Sequence, residues 1–196
     1  MRISVVCLAL CVVALSPIAA SSDSALAAAH PPTQRDGQHD FDFLLGSWKS
    51  HYKVLRRPLT GSHDWYEFNG TNFVHPVWKG EANIDESYLY RPTGRLDALT
   101  LRLYDPATHQ WSLYWGTAKK GLSIPPTVGH FDANGLGKFY DNETFAGKPI
   151  TVRYTWMHPK PDTWHFEQAF SPDGGKTWET NWISDSVART ADSKVF

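Results

Sequence analysis

Leu99-Thr100-Leu101-Arg102-Leu103-Tyr104-Asp105-Pro106-Ala107-Thr108-His109-Gln110-Trp111-Ser112-Leu113-Tyr114-Trp115 is the stretch that decides the fold. Leu99, Leu101 and Leu103 alternate with Thr100 and Arg102; Trp111, Leu113 and Trp115 alternate with Ser112 and Tyr114. Successive side chains of a strand point to opposite faces, so this period of two predicts a pair of half-buried strands. Asp105-Pro106 between them predicts the turn.

The same pattern extends outward. Ile150, Val152, Tyr154 and Trp156 alternate with Thr151, Arg153 and Thr155. Turn signals recur at Asn69-Gly70, Lys79-Gly80, Pro92-Thr93-Gly94, Lys120-Gly121, Asn134-Gly135, Gly147, Pro159 to Asp162 and Pro172 to Gly175. After residue 30 no long window keeps a helical period, and the one helical candidate is Asp40 to Leu45 with Asp40 as its cap. About ten strands joined by short links predict an antiparallel meander, which must close or fold over to hide its edges.

Composition narrows the function classes. Lys and Arg number 19 against 20 Asp and Glu, so no charge excess points to nucleic acid or to an anionic membrane surface. Nine Trp, eight Tyr and ten Phe exclude a disordered chain. Met1-Arg2, the apolar run Ile3 to Leu15 and the small residues up to Ala29 predict an export signal over 1–29, with a cut after Ala29 or Ala20. The run is too short to span a bilayer. Both cysteines, Cys7 and Cys11, fall inside it, which predicts a cysteine-free mature chain in the periplasm or outside the cell. Residues 30–39 read as a polar, flexible leader, and 40–196 as one barrel domain.

Two motifs carry a resemblance. Phe41-Asp42-Phe43-Leu44-Leu45-Gly46-Ser47-Trp48 resembles the opening of lipocalins and other calycins, which implies a short helical plug and an internal Trp48. Ser171-Pro172-Asp173-Gly174-Gly175-Lys176-Thr177-Trp178 matches the Asp-box pattern of sialidases and other propellers, which implies a hairpin device here. With Leu101 to Trp115 and Phe166 to Trp182, these stretches resemble a bacterial calycin-like (lipocalin-like) β-barrel family whose function is unknown and which brings no catalytic residues. The fold class expected is therefore all-β: a single antiparallel up-and-down barrel of about ten strands with a short N-terminal plug. A more distant similarity to nitrobindin-type haem barrels makes haem the one candidate cofactor. His158 and His165 are the late histidines that could serve it.

No phosphate loop, zincin, nucleophile-elbow or EF-hand pattern occurs, and the nine His are scattered without metal-ligand spacing. The later strands divide into two faces. One holds Trp111, Trp115, Trp156, Trp164, Phe166, Trp178 and Trp182; the other holds Arg102, Tyr114, Asp141, Glu143, Arg153, His165, Glu167, Glu179 and Asn181. Two arrangements stand open: aromatics inside with a polar exterior, or a polar cluster lining a cavity. Arg102, Tyr114, Glu143, Arg153, His165, Glu167 and Asn181 are the candidate ligand contacts, with Arg153 and Glu167 expected to meet across neighbouring strands. Three functions follow. The first is a barrel binding a small apolar molecule. The second is an enzyme using Glu143, Glu167 or His165 as acid or base and Arg153 as anion stabiliser. The third is a filled-core interaction protein, for which a second copy of the chain is a candidate partner.

Overall fold

The computed structural model describes residues 35–190; the expected export signal lies outside them. The strands are β1 (Gly46–Leu55), β2 (Trp65–Val77), β3 (Ala82–Arg91), β4 (Gly94–Asp105), β5 (Gln110–Thr117), β6 (Gly121–Leu122), β7 (Thr127–Phe131), β8 (Gly137–Phe145), β9 (Lys148–Met157), β10 (His165–Ser171) and β11 (Glu179–Arg189). All pairings are antiparallel, and neighbours in sequence are neighbours in the sheet through most of the chain. β1 pairs β11 and β4 pairs β5, so ten strands close into a barrel, leaving the two-residue β6 as an appendage on β5. Closure removes the free edges that the meander would otherwise present.

The closing seam is uneven. β5 pairs β7 only over Trp111–Leu113 and pairs β6 only at Gly116 and Thr117. By contrast, β1 pairs β2 along the whole of Gly46–Leu55.

One end of the barrel is plugged. The expected helix is a single 3-10 turn, Asp42–Leu44. It places Phe41 and Leu44 against Trp48, Trp111, Phe131 and Phe139. Phe41 meets Trp111 edge-on at 5.2 Å and Phe131 edge-on at 4.9 Å. Trp48 is buried and donates Nε1–H to the Leu44 carbonyl at 2.6 Å, so the Gly-x-Trp motif is a core plug. The end of the stretch read as a flexible leader is tied down here. Gly37 N–H donates to Tyr104 Oη at 3.0 Å, Trp111 Nε1–H donates to the Gly37 carbonyl at 2.9 Å, and Tyr104 Oη donates to Asp36 at 2.9 Å.

Two turn readings have different outcomes. Asn69-Gly70 is not a hairpin turn but lies within β2. Gly70 serves close approach instead, since a Cβ there would stand 2.7 Å from the Tyr88 carbonyl and 2.8 Å from the Tyr52 ring. The Ser171 to Trp178 segment is the β10–β11 hairpin. Asp173 Oδ1 accepts the amides of Lys176 at 3.0 Å and Thr177 at 2.9 Å, and Oδ2 accepts the Thr177 hydroxyl at 2.6 Å. Gly174 and Gly175 take φ of 71° and 91°, in the region that favours glycine.

Candidate functional site

A cavity of about 300 Å³ occupies the barrel above the plug. Strand alternation determines its wall. Leu113 and Trp115 of β5, Tyr154 and Trp156 of β9, Phe166 of β10 and Trp182 of β11 supply most of its apolar lining. The aromatic face therefore points inward, except Trp178, which stacks on the outer surface against Arg153 with the guanidinium 4.3 Å from its ring.

The wall from β2 to β4 carries the polar lining, and on β4 the polar side chains turn inward, which places the expected contact Arg102 in the cavity beside Leu113 of β5. Leu99 is exposed and Leu101 and Leu103 are half-buried on the outside, whereas Thr100 and Arg102 line the cavity. Arg102 is fully buried. Its Nη1 donates to Asn83 Oδ1 at 2.9 Å and its Nη2 to Asp85 Oδ2 at 3.2 Å. Asp85 Oδ1 also accepts Ser87 Oγ at 2.9 Å and Asn72 Nδ2 at 3.4 Å. Asn72 Oδ1 in turn accepts Ser50 Oγ at 2.5 Å and Tyr52 Oη at 2.9 Å. The guanidinium lies 5.2 Å from both the Phe41 and Trp156 rings, which suits a planar, weakly hydrated cation. Burial lowers the Arg102 pKa and Asp85 opposes the change; burial likewise raises the Tyr52 and Tyr154 hydroxyls.

The cavity leads to an open outer groove of about 870 Å³ between residues 122–125, 141–144, 149–151 and 171–174. Ser123 and Glu143 line both spaces and mark the mouth. Glu143 is raised above the ordinary carboxylate range, first by loss of solvent and then by Asp141 beside it. Leu59, from the loop between β1 and β2, packs at this end beside Ile150, Val152 and Phe170, and its N–H donates to Glu179 at 2.5 Å.

Of the residues expected to contact a ligand, Arg102 and Glu143 line the cavity. Asn181 sits beside it, buried in the β10–β11 irregularity, and accepts the Gln168 amide at 2.7 Å. Tyr114, Arg153, His165 and Glu167 alternate with inward-facing neighbours and belong to the outer face. Arg153 is opposite Ala169, and Glu167 is opposite Thr155, so the expected Arg153–Glu167 pair does not form. Glu167 instead bonds His165 Nε2 at 3.2 Å, while His165 Nδ1 meets Asp185 at 2.7 Å. His158 stacks on Phe43 with ring centres 4.9 Å apart. Among the described residues no group of three His, Cys, Asp or Glu could hold a metal ion.

Sequence reading missed the inward Asn72, Asp85 and Ser87. The run Asp85-Glu86-Ser87 in a strand does place two polar side chains on one face, which is the signal that could have found them.

A closed meander with a plugged floor, an internal Trp48 and a lined cavity defines a calycin-like barrel. Among solved structures, the chain is similar to the S-type phycobiliprotein lyase CPES from Guillardia theta. The TM-score is 0.54 at 13% identity, covering 81% of this chain and 95% of that one. No family model and no curated protein sequence matches.

Proposed function

We propose that the protein binds a small, largely apolar molecule inside the barrel. The observation that carries this reading is the cavity of about 300 Å³ lined by aromatic rings together with a hydrogen-bonded polar cluster around Arg102. Ligand sites have this character: mostly apolar, with a few fixed polar groups. The barrel neighbour, a phycobiliprotein lyase by its title, supports the reading as far as a shared fold can. Of the groups named for an enzyme alternative, Glu143 alone lines the cavity, because His165, Glu167 and Arg153 belong to the outer face. We extend the proposal to site of action: an exported protein, on the strength of the apolar run Ile3 to Leu15.

Titration with naphthalene, followed by quenching of the cavity tryptophans, tests the binding reading. Saturable quenching is expected, and Thr100→Phe, which fills the cavity, should weaken it at least about tenfold while the protein stays folded. Quenching that never saturates, or that Thr100→Phe leaves unchanged, would overturn it.

A further inference from the structure

The inward face of β8 carries charge where its neighbour carries none. Alternation puts Gly137, Phe139, Asp141 and Glu143 on that face. Their partners in register on β9 are Trp156, Tyr154, Val152 and Ile150, an aromatic and aliphatic row. Glu143 therefore loses solvent without gaining a partner. No cation among the described residues acts on it or on Asp141, and Asp141 takes up only the Asn142 amide, at 2.7 Å. Carboxylates drawn out of water are ordinarily paired.

This carboxylate is open to a guest. Glu143 lines the cavity as well as the outer groove, and its charge acts on the Tyr154 hydroxyl of the cavity wall. Asp85, Arg102 and Glu143 are the charged residues of the cavity lining. Asp85 is paired with Arg102, so Glu143 is left uncompensated. The groove adds Asp141 and Asp173, and no Lys, Arg or His lines it. The field along the whole entrance thus favours a cation and repels an anion. A neutral guest would cover the Glu143 carboxylate and leave it unpaired. Trp115, whose carbonyl accepts the Ser123 amide at 2.7 Å, adds an aromatic ring at the same lip, and such rings attract ammonium ions.

Building on the binding reading above, we infer that the ligand is an amphiphilic amine, with an apolar body inside the barrel and one protonated nitrogen at the mouth against Glu143. The cavity of about 300 Å³, roughly ten water molecules of liquid, accommodates a bicyclic ring with a short substituent.

Three probes of one shape test this on the folded chain near neutral pH: 2-(aminomethyl)naphthalene, its uncharged counterpart 2-ethylnaphthalene, and 2-naphthoate. The amine should bind at least about tenfold more tightly than either of the others, and added salt should narrow the gap. Glu143→Gln should abolish the amine's advantage without weakening 2-ethylnaphthalene, and Asp141→Asn should reduce it less. Without any probe, Glu143→Gln should unfold at the parent's urea midpoint or above it, since it removes a charge that nothing in the chain compensates. A lower midpoint would give that carboxylate an internal partner and overturn the inference. Equal affinity for amine and 2-ethylnaphthalene, or an advantage that Glu143→Gln leaves intact, overturns it and leaves the binding reading standing. Tighter binding of naphthoate reverses the sign of the head group. Failure of all three probes to bind overturns both readings.

Discussion

Arg102 on β4 reaches diagonally to Asp85 on β3, Nη2 to Oδ2 at 3.2 Å, where neither side chain has meaningful access to solvent. Two ions taken out of water are held by geometry and by further hydrogen bonds, here from Arg102 to Asn83 and from Ser87 and Asn72 to Asp85. Removing one partner leaves the other charge uncompensated. Asp85→Ala should cost roughly 3–5 kcal/mol in urea unfolding, whereas the joint replacement Arg102→Met with Asp85→Leu should recover much of that loss. Equal losses in the single and joint variants would show that packing volume, not charge, governs this wall.

On the outer face, Arg153→Ala should be mild. The guanidinium stacks over Trp178 at 4.3 Å, a contact worth about 0.5–1 kcal/mol at a half-exposed site. Glu167→Gln should cost about 0–1 kcal/mol, because its partner His165 stays bonded to Asp185. Neither should alter naphthalene binding. A change in affinity in either variant would bring this face back into the site.

Two histidines should make stability fall as pH rises. At His165, burial favours the neutral ring, but hydrogen bonds and charge from Asp185 and Glu167 outweigh it and raise the pKa. At His51 the Asn69 hydrogen bond raises it, burial opposes, and Glu67 adds to the rise, with Lys53 paired to the same Glu67. A raised folded pKa gives stabilisation that is complete below the unfolded value near 6.5 and lost as pH climbs through the folded value. Unfolding free energy should therefore decline from about pH 6 upward, and the paired change His51→Gln and His165→Gln should flatten that slope. An unchanged slope would assign it to other groups.

Asp173 has the opposite sign. The hydroxyl and amide of Thr177, with Ser171, hold its carboxyl well below the usual carboxylate range. Its contribution is present above the unfolded pKa near 4 and disappears as pH falls through the folded value. Asp173→Ala should lower the melting temperature at neutral pH and lessen the difference between pH 5 and pH 2. Its affinity for naphthalene should match the parent's; lost binding in a folded Asp173→Ala protein would make the hairpin part of the site.

Alternation at Trp111 to Trp115 and at Ile150 to Trp156, with recurring turn pairs, made the meander legible, and closure follows from edges that must be hidden. Which face turns inward was only half legible. Aromatic rings on β5, β9, β10 and β11 point into the barrel, as burial favours. On β4 the leucines point out, because Arg102 finds Asn83 directly opposite in register and Asp85 on the same wall. That partnership is non-local, so no count of apolar residues along one strand could reveal it. Glu143 shares its face with Phe139 by simple alternation along β8, a signal present in the sequence. The Arg153–Glu167 expectation failed on register: the β9–β10 pairing sets Arg153 opposite Ala169.

The short β5–β7 ladder has a kinetic consequence. Trp111–Leu113 is all that joins these strands, and nearer the mouth that edge of β5 meets only Gly121, Leu122 and the Ser123 amide, while its other edge is paired to β4 throughout. Local opening is easiest where backbone hydrogen bonds are fewest. The sparse edge lies beside Trp115 and Ser123, both on the cavity wall, so a seam that parted there would open the cavity from the side while the plugged floor stayed shut. A molecule using that route arrives and leaves through one barrier. Stitching the seam would slow both journeys in equal proportion and lengthen the residence of a bound guest without tightening its equilibrium grip.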